Sequence, residues 1–116
     1  MGSEMCIRDR PDLDLLTTLC TLVSRRAALY LATALHALWT LRTSAEDLEP
    51  GSAESHITIA CDGTIVEKYP HFRARCQGFL DDLAERSGAV PGAVRLRMAA
   101  DGSVLGAAVA AACCAE

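Results

Sequence analysis

A long apolar repeat in the first third of the chain limits the folds that this sequence can adopt. From a helix start near Pro11, apolar side chains recur at steps of three and four residues over roughly eight turns. They are Leu16, Leu19, Cys20, Val23, Ala27, Tyr30, Leu31, Ala34, Leu35 and Leu38. Few polar residues interrupt the second half of the repeat, so we expect a helix buried on more than one side. Such a helix needs a larger partner surface than 116 residues easily supply.

Charge and cysteine spacing exclude several functional classes. The net charge of −4 leaves no basic stripe for the phosphates of a nucleic acid, so no nucleic-acid partner is expected. No pair among the six cysteines has the C-x-x-C spacing of a zinc site, so no metal ligands are assigned. The longest apolar stretch, residues 27–41, is shorter than the roughly 20 residues of a spanning helix. We therefore expect a cytoplasmic protein with reduced thiols and no membrane span.

The remainder of the chain alternates between strand and helix patterns. In order, it predicts an antiparallel hairpin, a helix, a half-exposed strand and a small-residue helix. These elements lie at residues 56–61 with 65–66, at 70–88, at 94–98 and from Ser103 onwards. Together with the long first helix, this order predicts an α/β fold in which helices pack on a mixed sheet.

The first ten residues lack this periodicity. Residues 4–10, Glu-Met-Cys-Ile-Arg-Asp-Arg, look like translated sequencing-adaptor sequence. We therefore expect residues 1–10 to be a non-native leader.

Two turns of the same chemistry follow the predicted strands at 56–61 and 94–98, Asp-Gly-Thr at 62–64 and Asp-Gly-Ser at 101–103. Glycine lets a backbone approach a ligand closely, and free N–H groups at a helix start favour anionic or strongly polar groups. The pair therefore predicts a cradle for an adenine nucleotide. The candidate binding residues are Asp62, Gly63, Thr64 and Ser103.

Each turn also has a purely structural interpretation. Asp-Gly between two apolar strands is a strong signal for a type I′ hairpin. Ser103 alone is a good helix N-cap, because its hydroxyl can accept a hydrogen bond from a backbone N–H.

Three short motifs, taken in order, resemble the C-terminal part of the hexokinase family over about residues 12–113. They resemble the long-helix segment, the adenosine motif and the closing glycine-rich turn of that family. The residues are Val-Ser-Arg-Arg-Ala-Ala at 23–28, Ile-Ala-Cys-Asp-Gly-Thr at 59–64 with Tyr-Pro-His-Phe at 69–72, and Asp-Gly-Ser at 101–103 with Gly-Ala-Ala at 106–108. Three ordered motifs are far more specific than any one of them.

The resemblance implies a partial ribonuclease H-like lobe of the actin-like ATPase group, with residues 11–116 as a C-terminal fragment of the large domain. It implies that Asp62, Gly63 and Thr64 line the adenosine side of the ATP pocket, with Ser103 nearby. The parent enzyme would transfer phosphate from Mg-ATP to the 6-hydroxyl of glucose or a related hexose. The family's catalytic aspartate lies upstream of this chain, so no catalytic residue is assigned, and the missing N-terminal part is an expected partner.

One position departs from the family pattern. Val104 stands where the family usually has a second glycine after the serine. If that position needs a positive φ or touches the nucleotide, valine is strained there or intrudes on the pocket.

Two other functional classes remain open. A helical interaction module without nucleotide binding would dock its long Leu/Ala helix onto a partner. A thiol redox protein would form a Cys113–Cys114 or Cys61–Cys76 disulfide.

Overall fold

The computed structural model describes the backbone of residues 2–115 and the side chains of residues 10–115. Helix α1 spans Gly2–Ala45 and passes through Pro11. It therefore begins earlier than the predicted start at Pro11. Proline removes one N–H from the helical ladder but has a helical φ, so a helix continues through it at some cost. The non-native origin of residues 1–10 stays a prediction.

Helix α1 is buried along one stripe. Its buried residues follow mainly four-residue steps and are Ser24, Ala28, Ala32, Trp39 and Thr43. Large apolar side chains on its other faces are exposed, among them Leu22, Tyr30 and Leu41. The expectation that α1 is buried on more than one side is therefore wrong for this chain, because α1 packs chiefly against one other helix.

Four of the remaining elements lie close to their predicted bounds, namely β1 at Ile57–Cys61, α3 at Phe72–Arg86, β2 at Val94–Met98 and α4 at Gly102–Cys114. Two further helices are not predicted by the sequence, a 3-10 helix at Ala53–Ser55 and α2 at Thr64–Lys68. Helix α2 replaces the strand expected at residues 65–66.

The prediction of an antiparallel hairpin at Asp62-Gly63 is wrong. Gly63 has φ 130° and ψ 147°, outside the left-handed helical region that a type I′ turn requires. The chain then enters α2 and α3, which carry it back so that β2 pairs with β1 in parallel. A parallel pair needs a long crossover of this kind. The sheet is therefore parallel rather than mixed.

The core lies between α1, α3 and one face of this sheet. Its buried residues are Ala28, Ala32, Trp39, Phe72, Cys76, Leu80, Ala84, Ala89, Ala93 and Val94. Ile57, Ile59 and Leu96 pack against it from the strands. Thr58 and Arg95, which are paired in register, are exposed on the other face. The α/β class is confirmed, and the ribonuclease H-like lobe stays an expectation.

One helical segment, Arg10–Ala45, is long and apolar enough to cross a membrane by length and composition. This is weak evidence, because core helices of soluble proteins meet the same criterion. The expected absence of a membrane span stays a prediction.

Candidate functional site

Parallel pairing brings the two Asp-Gly turns to the same edge of the sheet. Cys61 and Met98 end the two strands in register. The Ala99 N–H continues the ladder with a hydrogen bond of 2.8 Å to the carbonyl of Cys61. Ligands of open α/β sheets bind outside the carboxyl ends of the strands. The predicted turns therefore lie at the edge where a ligand is expected.

A side chain links the two turns directly. Asp62 Oδ2 accepts hydrogen bonds from the backbone N–H of Ser103 at 2.7 Å and from its hydroxyl at 2.5 Å. These two hydrogen bonds are the largest causes that hold the pKa of the Asp62 carboxyl below its ordinary value of 3.8, the hydroxyl first. Desolvation raises this pKa by a smaller amount, and the Gly63 N–H lowers it by a still smaller one. Asp62 thus stays ionised at neutral pH and joins the two turns.

The two turn glycines are needed for different reasons. Gly63 has a positive φ of 130° that side-chain-bearing residues rarely adopt. A Cβ at Gly102 would lie 3.3 Å from Ala99 Cβ and 3.4 Å from Asp62 Cβ. Gly102 therefore allows the second turn to approach the first closely.

The structure brings the four predicted site residues into one exposed corner. Asp62, Gly63 and Thr64 run from the end of β1 into α2, and Ser103 lies opposite in the first turn of α4. The interpretation of Ser103 as the N-cap of α4 is wrong, because the N-cap is Asp101. The Asp101 side chain makes no capping hydrogen bond. At the start of α4, where free N–H groups were expected, the N–H of Ser103 donates to Asp62 instead. Asp62 lies 41 positions away in the chain.

Val104 is not strained. It lies in α4 and is absent from the positive-φ residues of the described chain, which include Asp101 but not Val104. The helix begins at Gly102, so residue 104 has helical geometry that valine accepts. Its side chain is 71% exposed.

Sequence reasoning missed the residue that fixes the edge of β2. The Gln77 side-chain amide donates to the carbonyl of Val94 at 2.8 Å, and its oxygen accepts from the N–H of Leu96 at 2.8 Å. Gln77 thus pairs with β2 as a neighbouring strand would, and holds the strand that carries the second turn. A lone glutamine on a helix has no sequence signal for this role.

A groove of about 610 Å³ lies between α2, α3 and β2. Tyr69, His71, Arg97 and Met98 are among its lining residues. His71 has φ 63°, a left-handed conformation that histidine adopts more readily than most residues. This groove extends the exposed surface next to the end of β2.

The described part of the chain contains neither a cluster of metal ligands nor a disulfide. No cluster of three or more His, Cys, Asp or Glu side chains there is placed to hold a metal ion. Cys61 and Cys76 are free thiols, as are Cys113 and Cys114. The disulfides that a redox protein would form are therefore not made in this structure.

The fold and the corner define a mixed α/β domain with paired glycine turns at the ends of parallel strands. A family model described as hexokinase matches residues 2–113. The chain belongs to the hexokinase family, which confirms the resemblance of its motifs. Neither a curated protein nor a solved structure matches it.

Proposed function

We propose that this chain forms the adenosine side of the ATP pocket in a hexokinase-type sugar kinase. The parent enzyme would phosphorylate glucose or a related hexose at its 6-hydroxyl, with Mg-ATP as phosphate donor. The observation that carries the proposal is the joining of the two turns by Asp62 and Ser103 at the carboxyl ends of parallel strands. Family membership supports a kinase-type parent.

In this proposal the corner binds and does not catalyse. Gly63 and Thr64 offer exposed backbone and a hydroxyl on one side, and Ser103 offers a hydroxyl on the other. Phosphoryl transfer depends chiefly on positioning the phosphates and on stabilising their charge. In our proposal, the groups that position the phosphates belong to another part of a cytoplasmic enzyme. The base that takes the proton from the sugar hydroxyl belongs to that part as well.

The exposed apolar surface supports the proposal that another part of the enzyme packs against this chain. The chain has 8525 Å² of accessible surface, whereas a compact monomer of 12.3 kDa has about 6,100 Å². Large apolar side chains of α1 and α4, such as Leu41 and Val104, are exposed. We propose that the N-terminal part of the same enzyme covers these faces, with residues 11–116 as the C-terminal part of its large domain.

Calorimetry with adenosine tests the binding role. Thr64→Val and Ser103→Ala each remove one exposed hydroxyl, and we expect each to weaken binding by roughly 2- to 10-fold, the range for one net hydrogen bond. Thr58→Val is the matched control, because Thr58 is exposed in the middle of β1, away from the corner. A folded chain that does not bind adenosine contradicts the proposal.

The same exposed face favours one alternative, a helical interaction module without nucleotide binding. Leu19, Val23, Ile65 and Phe72 line an almost wholly apolar groove of about 350 Å³ between α1 and the start of α3. In that case a partner protein, rather than the rest of a kinase, would cover α1. Failure to bind adenosine, together with saturable binding of a partner at this groove, would favour the alternative.

A further inference from the structure

The start of α4 is occupied by an anion that belongs to the chain itself. Helix α4 has 13 residues, and its first turn presents the N–H of Ser103. The positive end of a helix dipole ordinarily attracts phosphate to such N–H groups. Here the Asp62 carboxylate takes the Ser103 N–H at 2.7 Å.

We infer that Asp62 is a positioning residue that closes the Ser103 N–H at the start of α4 to phosphate and makes the Ser103 hydroxyl a hydrogen-bond acceptor. The corner then receives the uncharged nucleoside part of a nucleotide, and the phosphates lie elsewhere. The identity of the ligand rests on the proposed function. The closure to phosphate rests on the geometry of Asp62 alone.

The Ser103 hydroxyl has no free proton to donate to a ligand. A serine hydroxyl has one proton and two lone pairs. Its proton is donated to Asp62 Oδ2, so only the lone pairs face a ligand. They accept hydrogen bonds from ribose hydroxyls or an exocyclic amino group. A fully ionised phosphate has no proton to donate.

Charge works in the same direction. The Asp62 carboxylate lies against the N–H of Ser103 that an incoming phosphate would need. Like charges repel at such short range. The two hydrogen bonds from Ser103 hold the carboxylate in this place.

The experiment is a pyrophosphate titration of the full chain, observed at the Ser103 amide in ¹H–¹⁵N spectra. We expect no saturable shift in the wild type and a saturable shift in Asp62→Ala. In Asp62→Asn the acceptor remains but the charge is lost. We expect a saturable pyrophosphate shift in Asp62→Asn as well, because the loss of one negative charge at a helix N-terminus favours a bound anion.

Asp101→Asn is the matched control, because it removes a carboxylate from the same turn without touching the Ser103 hydrogen bonds. We expect it to behave as the wild type. Emission of Trp39, buried in the core, shows whether each variant is folded. If Asp62→Ala does not fold, Asp62→Asn decides the outcome.

Saturable binding of pyrophosphate at Ser103 in the wild type overturns the inference. So does an unchanged affinity in the folded Asp62 variants. An adenosine titration of the same samples separates the two proposals. If adenosine does not bind, the proposed function fails, and the pyrophosphate result alone still decides the role of Asp62.

The acceptor role has its own test where adenosine binds. Purine riboside lacks the amino group of adenosine, and 2′,3′-dideoxyadenosine lacks the ribose hydroxyls. We expect one of these losses to weaken binding to the wild type but not to Ser103→Ala. Equal weakening in both proteins by each analogue contradicts the acceptor role.

Discussion

Asp62 combines two tasks in one carboxylate. It satisfies a backbone N–H in the first turn of α4, and it joins that turn to the end of β1. The sequence contains both halves of this link, but nothing local connects residue 62 with residue 103. The sequence therefore predicts both residues in one site but does not predict the hydrogen bonds between them.

The link between the turns is expected to depend on pH. The pKa of the Asp62 carboxyl is below 3.8 in the folded chain. The stability that the link contributes is therefore fully present above the pKa that Asp62 has in the unfolded chain. This stability is lost as pH falls through the lower pKa of the folded chain. We expect the Ser103 amide resonance to titrate with a midpoint below 3.8.

Asp62→Asn should abolish this titration of the Ser103 resonance, whereas Asp101→Asn should retain it. A midpoint above the ordinary value of an aspartate would contradict the structure.

Cys76 is expected to be the least reactive of the described cysteines. Burial, and then the neighbouring Cys61, raise the pKa of the Cys76 thiol to about 11. Since the thiolate is the nucleophile, iodoacetamide at about pH 8 should modify the exposed Cys20, Cys113 and Cys114 first. Peptide mapping by mass spectrometry measures the order, and denaturant should remove the difference. Early alkylation of Cys76 in the folded chain would contradict its burial.

At the scale of elements, the sequence predicts local structure better than pairing. The period-2 pattern located both strands, and the apolar spacing located α3. The Asp-Gly turn failed because a strong local hairpin signal was overridden by α3, whose buried face needs the core that parallel strands complete. The candidate corner was located all the same, since both turns follow strands that end at one edge.

Gln77 gives an element-level prediction, because it pairs with β2 through two hydrogen bonds of 2.8 Å. Gln77→Leu leaves the carbonyl of Val94 and the N–H of Leu96 unpaired. We expect a loss of roughly 1–3 kcal/mol in the free energy of unfolding. Urea titration followed by Trp39 emission measures it.

Gln77→Glu is a partial control, since its carboxylate still accepts from Leu96 but cannot donate to Val94. Glu85→Gln, exposed on the same helix, should change the free energy of unfolding by less than about 0.5 kcal/mol. A Gln77→Leu chain as stable as the Glu85 variant would show that the edge of β2 needs no partner.

At the scale of the whole molecule, the chain is extended rather than compact. Its radius of gyration is 19.3 Å, against about 13 Å for a compact domain of this length. The long repeat in the sequence indicated a helix that needs more partner surface than this chain has. The structure shows that surface uncovered on α1. Sequence alone did not predict which stripe is buried, because that depends on where α3 packs.

The uncovered faces and the absence of an assigned catalytic base predict an inactive chain. We expect the purified chain to transfer no phosphate from Mg-ATP to glucose in a coupled assay, because positioning of the phosphates and the sugar depends on groups beyond this corner. Addition of the N-terminal part of the same enzyme should restore transfer. Phosphorylation of glucose by this chain alone would refute the assignment.

In our proposal, two turns that are distant in sequence form one nucleoside site. Titration of the ¹⁵N-labelled chain with adenosine is the decisive experiment. We predict that the amides of Gly63, Thr64 and Ser103 shift together and saturate with a single dissociation constant. No saturable shift at these amides in a folded chain, or shifts confined to the apolar groove around Val23, would contradict the claim.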